Sequence, residues 1–480
     1  MKVCLVTPPS GFLLDQRVFM SLGILKVGAV LEQAGHEVDH LDLSGVSNYE
    51  DICRDYLRTG SNPAGVVYAI TATTPQMPAA IRIREVLGGK CIMGGPHPTL
   101  LAAAAKRGNA RAIKALGHLL DAFDTIVAGD GERAIFRALK EYGLIDADDP
   151  KSDLWQTSKD FTDSPWPARH LVDVKSYHYT IDGEQAIHLI GQLGCPMSCT
   201  FCAGRNSPML RRMRLRTPEN IVAEVLHLHD KYGFKGFNFF DDELNINKLL
   251  PTLLRGLIEA ARDRGVEWRL RGFIKAELFT EEQAALMYEA GFRWILIGFE
   301  SGSDRILTNI EKRATKAENT HAMQIAHDHG LKVKALMSIG HAGESEQTVR
   351  DTYDWLIETR PDDLDVTVIT PYPGSPYWDE AVEVDGGMWR YSAHKTGDYL
   401  YMEEIDFSAV ADFYKGVPGE YVSHVWTDAL AATELCELRD WCEFDSKARL
   451  DIALPQSAAA VMYDHSTGMT PAILRSSVSK

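Results

Sequence analysis

The sequence has no apolar run approaching the ~18 residues that a membrane-spanning helix needs. Its first residues, MKVCLVTPPSG, lack the charged segment and long apolar stretch of a secretory signal. A cytoplasmic protein without a membrane partner is therefore expected. Positive charge is scarce: 50 Lys and Arg stand against 67 Asp and Glu, a formal charge of −17 that repels nucleic acid. The basic cluster RRMRLR at residues 211–216 is short and reads as a solvated or anion-facing loop. A small-molecule or peptide substrate is expected instead. Cysteine is sparse and uneven, with eight in 480 residues and three of those within eight positions. That distribution excludes a disulfide framework and suits a metal site in a reducing compartment.

A chain of 480 residues exceeds what one hydrophobic core serves, so two or three domains are expected. From Lys2 the pattern alternates between apolar strands such as KVCLVTP and helices such as SLGILKVGAVLEQAG, which stops at Gly35. Over residues 1–142 this alternation predicts a doubly wound, Rossmann-like parallel sheet. Residues 143–184 are rich in Asp, Ser and Pro and read as a linker. Six further strand–helix units over residues 185–385 suggest a partial (β/α)6 barrel. Residues 386–480 keep less of the pattern and read as a small, mainly helical cap or substrate-facing region. The fold class is thus α/β.

The segment GCPMSCTFC places Cys195, Cys199 and Cys202 at C-x3-C-x2-C spacing directly after an apolar strand. Thiolates are soft ligands for an iron–sulfur cluster or for zinc. A structural zinc site wants four closed ligands, and no second Cys or His pair stands at the usual spacing. Three cysteines can hold three irons of a cubane and leave the fourth open to a ligand.

With this loop the sequence resembles the radical S-adenosylmethionine (SAM) superfamily, in particular its branch with an N-terminal cobalamin (B12)-binding-type domain, over about residues 1–380. The resemblance implies a [4Fe–4S] cluster on the three cysteines, with SAM on the open iron, cleaved reductively to a 5′-deoxyadenosyl radical. It places the backbone of Phe201 near the adenine. FFDDEL at 239–244 stands where the family has a Gly-Gly-Glu motif, so Asp242 and Glu243 are implied near the SAM amino group. IGFESGS at 297–303 implies Glu300 and Ser301 as SAM contacts, and Arg313 matches a position that pairs with the SAM carboxylate. In SIGHAGES at 338–345, Ala342 replaces the proline usual in the family's fifth-strand loop.

In the N-terminal part, TATTPQMP, MGGPHPT and AGDGE fall at the C-terminal ends of expected strands, where doubly wound sheets bind ligands. Thr73, Thr74 and Gln76 offer polar groups, and Gly94, Gly95 and Gly129 would let the backbone approach a flat cofactor. With His97, Gly131 and Glu132 they resemble a cobalamin-binding surface. The Asp-x-His-x-x-Gly motif that supplies a lower cobalt ligand is missing, so cobalamin would be held base-off without a protein ligand. His36 and His97 read as solvated or capping histidines.

The resemblance implies a cobalamin-dependent C-methyltransferase acting on a small specialised metabolite, with an electron donor such as flavodoxin or ferredoxin. A radical dehydratase, deoxygenase or rearrangement enzyme for an aminosugar-type substrate, with a vestigial N-terminal domain, is an alternative. A non-enzymatic zinc- or cobalamin-binding protein is a third. Tyr372, Tyr377 and Trp378, in YPGSPYW after the sixth barrel strand, are candidates to line the substrate site, although apolar packing accounts for them equally well.

Overall fold

The computed structural model describes residues 1–10, 15–59, 65–413, 419 and 421–454. The last segment of the chain, AAAVMYDHSTGMTPAILRSSVSK, lies outside the described residues. The first sheet comprises β1 (Lys2–Thr7), β2 (Glu37–Asp42), β3 (Val66–Thr71), β4 (Cys91–Gly94), β5 (Thr125–Ala128) and β6 (Gly143–Asp146). All six strands are parallel, in the order β2-β1-β3-β4-β5-β6. Such strands are covered by helices on both faces, which is why they read as continuous apolar runs such as Val3–Val6, all fully buried. The order reverses between β1 and β3, so the ligand crevice of this half opens above their C-terminal ends. There the Gln76 amide donates to the Pro8 carbonyl at 2.8 Å and ties the two loops together.

Strand β6 shows that the expected linker begins inside this sheet. The rest of the 143–184 stretch is built as well: the Ala168 N–H donates to the Leu25 carbonyl at 3.0 Å, and Gly28 is packed by Leu171. Its polar residues are used locally: Thr157 and Asp160 form a capping box at the start of the short helix Ser158–Asp163, and Ser164 follows its end.

The second sheet holds β7 (Thr180–Ile181), β8 (Glu184–Leu189), β11 (Gly236–Phe239), β12 (Arg269–Phe273), β13 (Phe292–Glu300), β14 (Lys332–Ile339) and β15 (Asp363–Val368). From β8 through β15 the strands pair in parallel, and β7 folds back antiparallel on β8. The sheet curls without closing. A small ribbon of β9 (Gln192–Leu193) and β10 (Arg214–Leu215) brackets the cysteine loop. At the open edge, the helix Ala432–Arg449 stands in for a missing strand: Glu443 accepts from the Val366 N–H at 2.9 Å and Arg439 donates to the Val366 carbonyl at 2.7 Å. The expected C-terminal helix is present. It follows an antiparallel sheet of β16 (Val382–Asp385), β17 (Met388–Ser392), β18 (Tyr399–Glu403) and β19 (Val425–Trp426), which the sequence reading did not anticipate. No helix among the described residues is long and apolar enough to cross a membrane.

Candidate active site

The cysteine loop leaves the C-terminal end of β8 and is pinned by its backbone. The Cys195 N–H donates to the Leu210 carbonyl and the Thr200 N–H to that of Ile310, both at 2.9 Å. Gly194 turns at φ +83°, and a Cβ there would come within 2.3 Å of the Arg212 carbonyl oxygen. Cys195 and Cys199 are half-buried and Cys202 is exposed. Burial nevertheless pushes the Cys202 thiol up to about 12 and the Cys195 thiol up to about 11. The Met197 N–H donates to the Cys195 sulfur and the Gly204 N–H to that of Cys202, while Lys312 and Lys275 act on Cys199 against the effect of burial. Amide donors and nearby cations stabilise thiolates and the negative charge of an iron–sulfur cluster, so the donor set fits one. Among the described residues no three Cys, His, Asp or Glu side chains gather as tightly as a single metal ion requires. A cubane instead spreads three cysteines over three separate irons.

The acidic turn after β11 divides its labour. Asp241 is buried and accepts from the Gly191 N–H at 2.6 Å, and Asp242 accepts from the Gly194 N–H, so both clamp the approach to the cysteine loop. Glu243 differs: its Oε2 is buried without a hydrogen-bond partner among the described residues. Burial raises its carboxyl to about 7, against the pull of Lys312 and Lys275. Glu300, at the end of β13, sits at φ +66°, a backbone cost that L-residues rarely bear without a reason. Its Oε1 accepts from Lys312 Nζ at 3.0 Å and its Oε2 from the Ser338 hydroxyl at 2.8 Å. Burial alone would raise this carboxyl, but Lys312 and the two hydrogen bonds hold it below the usual range.

Ser301, by contrast, turns away from Glu300. Its hydroxyl lies 3.1 Å from that of Thr352 and accepts from the Ser303 N–H at 3.1 Å, a structural task. Arg313 is exposed, and the inward cation is its neighbour Lys312, buried to 6% exposure. The sequence EKR could not separate the two. Left-handed backbone at Glu311 and Arg313, φ +52° and +62°, breaks the helical spacing by which side-chain direction is read. Lys275 was also missed: it is buried, pairs with Glu277 and donates to the Lys312 carbonyl at 3.1 Å. The Phe201 ring stands edge-on to His341 at 5.4 Å.

A cavity of about 360 Å³ opens at the C-terminal ends of β3, β4 and β5. Its walls are mainly apolar, with Ile24, Ile70, Ile92 and Val127 from the first domain and Leu193 from the second. Of the residues read as a cofactor surface, Thr73, Gln76, Gly94, Gly95, Gly129, Gly131 and Glu132 line it. Thr74 and His97 do not. His97 is neither solvated nor a cap: it is buried, its Nδ1 is 3.1 Å from the Thr74 hydroxyl, and burial lowers it to about 3. His36 is half-buried. The role expected of the glycines also changes. A Cβ on Gly95 would meet the Thr71 hydroxyl at 2.7 Å, and one on Gly129 would meet the Ala147–Asp148 peptide at 2.5 Å, so the protein's own backbone requires glycine at both.

Three further expectations are corrected. Tyr377 and Trp378 do not line an open site; they are 0% and 4% exposed. Trp378 packs into the core of the first domain under the Arg111 guanidinium, 4.1 Å from its ring. Tyr372 rests on Phe407 and Phe413, with both ring centroids at 5.8 Å. Packing thus claims all three aromatics, Trp378 against the first domain, Tyr377 against His341 and Tyr391, and Tyr372 against Phe407 and Phe413. In the basic cluster Arg212 is exposed, whereas Arg214 and Arg216 face anions inside the protein. Arg214 is buried on Asp130, and Arg216 is buried 2.6 Å from Glu224, which also holds Arg169 at 2.6 Å.

Comparison with known proteins agrees with this arrangement. Residues 189–356 match the radical SAM superfamily. The chain is 25% identical over 410 residues to an uncharacterized methyltransferase, PH0819, of Pyrococcus horikoshii, covering 80% of this chain and 83% of that protein. It is 27% identical to the bacteriochlorophyllide d C-12(1)-methyltransferase of Chlorobaculum tepidum, covering 70% of each. Among solved structures, the radical SAM methyltransferase TsrM of Kitasatospora setae, bound to tryptophan substrate and a SAM analog, superposes with a TM-score of 0.62 at 16% identity over 95% of this chain and 89% of that one. Another TsrM structure, with cobalamin and a [4Fe–4S] cluster bound, gives 0.58 at 16% identity over 82% and 81%. The cysteine loop and the greater part of the curled seven-stranded sheet thus fall in the segment that matches the radical SAM superfamily, whose members use a [4Fe–4S] cluster and SAM.

Proposed function

We propose that the chain is a cobalamin-dependent radical SAM methyltransferase that methylates carbon in a small molecule. The observation that carries this reading is the shared cavity. It lies at the switch crevice of the first sheet and is closed on its far side by Leu193 and Met209, which flank the cysteine loop in sequence. Its volume suits part of a cofactor such as the base-bearing tail of a base-off cobalamin, and its apolar walls suit an aromatic base. The cobalamin and [4Fe–4S] cluster bound in TsrM, and the two methyltransferases similar in sequence, support the same chemistry.

When bound, the cluster would supply the electron that cleaves SAM, and cobalamin would carry the methyl group. The chain's own residues would do the rest. Cys195, Cys199 and Cys202 hold the cluster, and the unpartnered Glu243 carboxylate receives the SAM amino group. Glu300, fixed by Lys312 and Ser338, offers a second anionic contact. The apolar walls keep water from the radical. A low-potential donor such as flavodoxin or ferredoxin supplies electrons.

Protein produced with cobalamin available and purified without oxygen should carry about four irons and one cobalamin per chain. Iron without cobalamin, even after reconstitution, would overturn the methyltransferase reading.

A further inference from the structure

A line of side chains inside the barrel connects the Glu300 carboxylate to the cysteine loop. Ser338 Oγ lies 2.8 Å from Glu300 Oε2 and 2.8 Å from His341 Nε2, and His341 Nδ1 lies 3.2 Å from the Tyr377 hydroxyl. The Tyr377 N–H donates to the Thr200 carbonyl at 3.2 Å, and Thr200 stands between Cys199 and Phe201. His341 and Tyr377 are 0% exposed and Ser338 is 5% exposed, so no water competes for these bonds.

Proton counting fixes the direction of every bond. Glu300 is ionised and can only accept, so the single Ser338 proton goes to it. Ser338 must then accept from His341, which puts the imidazole proton on Nε2. Nδ1 is left bare and must accept from the Tyr377 hydroxyl. Burial lowers His341 to about 4, in keeping with a neutral ring of one tautomer.

We propose that Tyr377, His341 and Ser338 form a positioning chain that holds the Glu300 carboxylate in its SAM-facing orientation and registers it against the cysteine loop. None of the three needs to touch SAM. They act through Glu300, a residue whose left-handed backbone would otherwise relax. The aromatic residue that the sequence offered as a substrate contact thus has a different task, two residues beyond the glycine and serine that turn the chain inward. The inference rests on the reading of Glu300 as a SAM contact.

The test is the SAM dissociation constant of the cluster-loaded enzyme, with the change in the reduced cluster's electron paramagnetic resonance signal on SAM addition as a second readout. Ser338→Ala and Tyr377→Phe should each weaken SAM about five- to tenfold, the loss of one buried hydrogen bond, at unchanged iron content. His341→Leu should do the same, whereas His341→Gln, which keeps a donor and an acceptor, should recover most of the affinity. The double variant S338A/Y377F should bind no worse than S338A alone, because the chain is already cut. Wild-type SAM affinity and an unaltered signal in Y377F and S338A, with only a lower melting midpoint, would overturn the proposal. Glu300→Gln separates the two levels. If it weakens SAM while Y377F does not, the chain falls and the reading of Glu300 stands. If E300Q leaves SAM affinity unchanged, that reading falls and takes the chain with it.

Discussion

Asp148 illustrates how one residue can carry a cost that the assembly tolerates. It lies where the first domain meets the loop after the cysteines, and its Oδ1 accepts from the Ser207 hydroxyl at 3.0 Å and the Met209 N–H at 2.6 Å, while Oδ2 is buried without a partner. Burial raises its carboxyl from 3.8 to about 6 despite the two donors. A raised acid is indifferent to pH below its unfolded value. Between pH 4 and 6 the unfolded chain sheds the proton before the folded one, so the folded state loses ground, and above pH 6 the loss is complete. Asp148→Asn keeps the Oδ1 acceptor and removes this loss. Relative to wild type, the variant should gain on the order of 2–3 kcal/mol between pH 4 and 7. Denaturant midpoints of both proteins at the two pH values check this; a gap that does not change with pH would contradict it. Legibility at this scale followed ligand spacing. The cysteines could be read because a short loop confines them, and Glu300 because a carboxylate ending an apolar strand demands a partner. Lys312 could not be distinguished from Arg313, since the difference lies in two left-handed dihedrals that leave no composition signal.

The parallel strands were legible as elements because each is a buried apolar run between helices. Strand β6 was hidden by its polar surroundings, and β16 to β19 are short or half-exposed, with β16 exposed throughout. Pairing partners, not local sequence, make them strands. The loop after β5 shows how tightly two elements can be interlocked. Gly129 turns at φ +102° with its α-hydrogen against the peptide that leaves β6. Gly129→Ala meets both a backbone strain and a clash at 2.5 Å that no side-chain rotation relieves. A loss of about 3–5 kcal/mol is expected. It should appear as a lower melting midpoint and reduced cobalamin retention, with iron bound by the three cysteines as in wild type. Equal loss of iron and cobalamin would mean that the two elements are not independent.

At the scale of the molecule, the surprise is the seam. Residues 143–184 look like a linker by composition, yet Phe161 and Pro167 line the cavity and Trp155 lies 4.9 Å from the Arg214 guanidinium. Composition records polarity, and here polarity is spent on caps and domain contacts. The Asp130–Arg214 pair spans the two domains, with side chains 9% and 4% exposed. Arg214→Met leaves a buried carboxylate without its cation and should cost about 3–5 kcal/mol. D130N/R214M, which removes both charges, should recover a substantial part. Thermal melts of the two variants decide this; a double variant no more stable than R214M would show that Arg214 acts through its contacts to the Met209 and Gln156 carbonyls and not through charge.

A cavity walled by two domains and by the peptide between them makes its occupant part of the joint. An occupant that touches both halves adds its contacts to the seam, so filling the cavity should raise the melting midpoint of the whole chain and not of one domain alone.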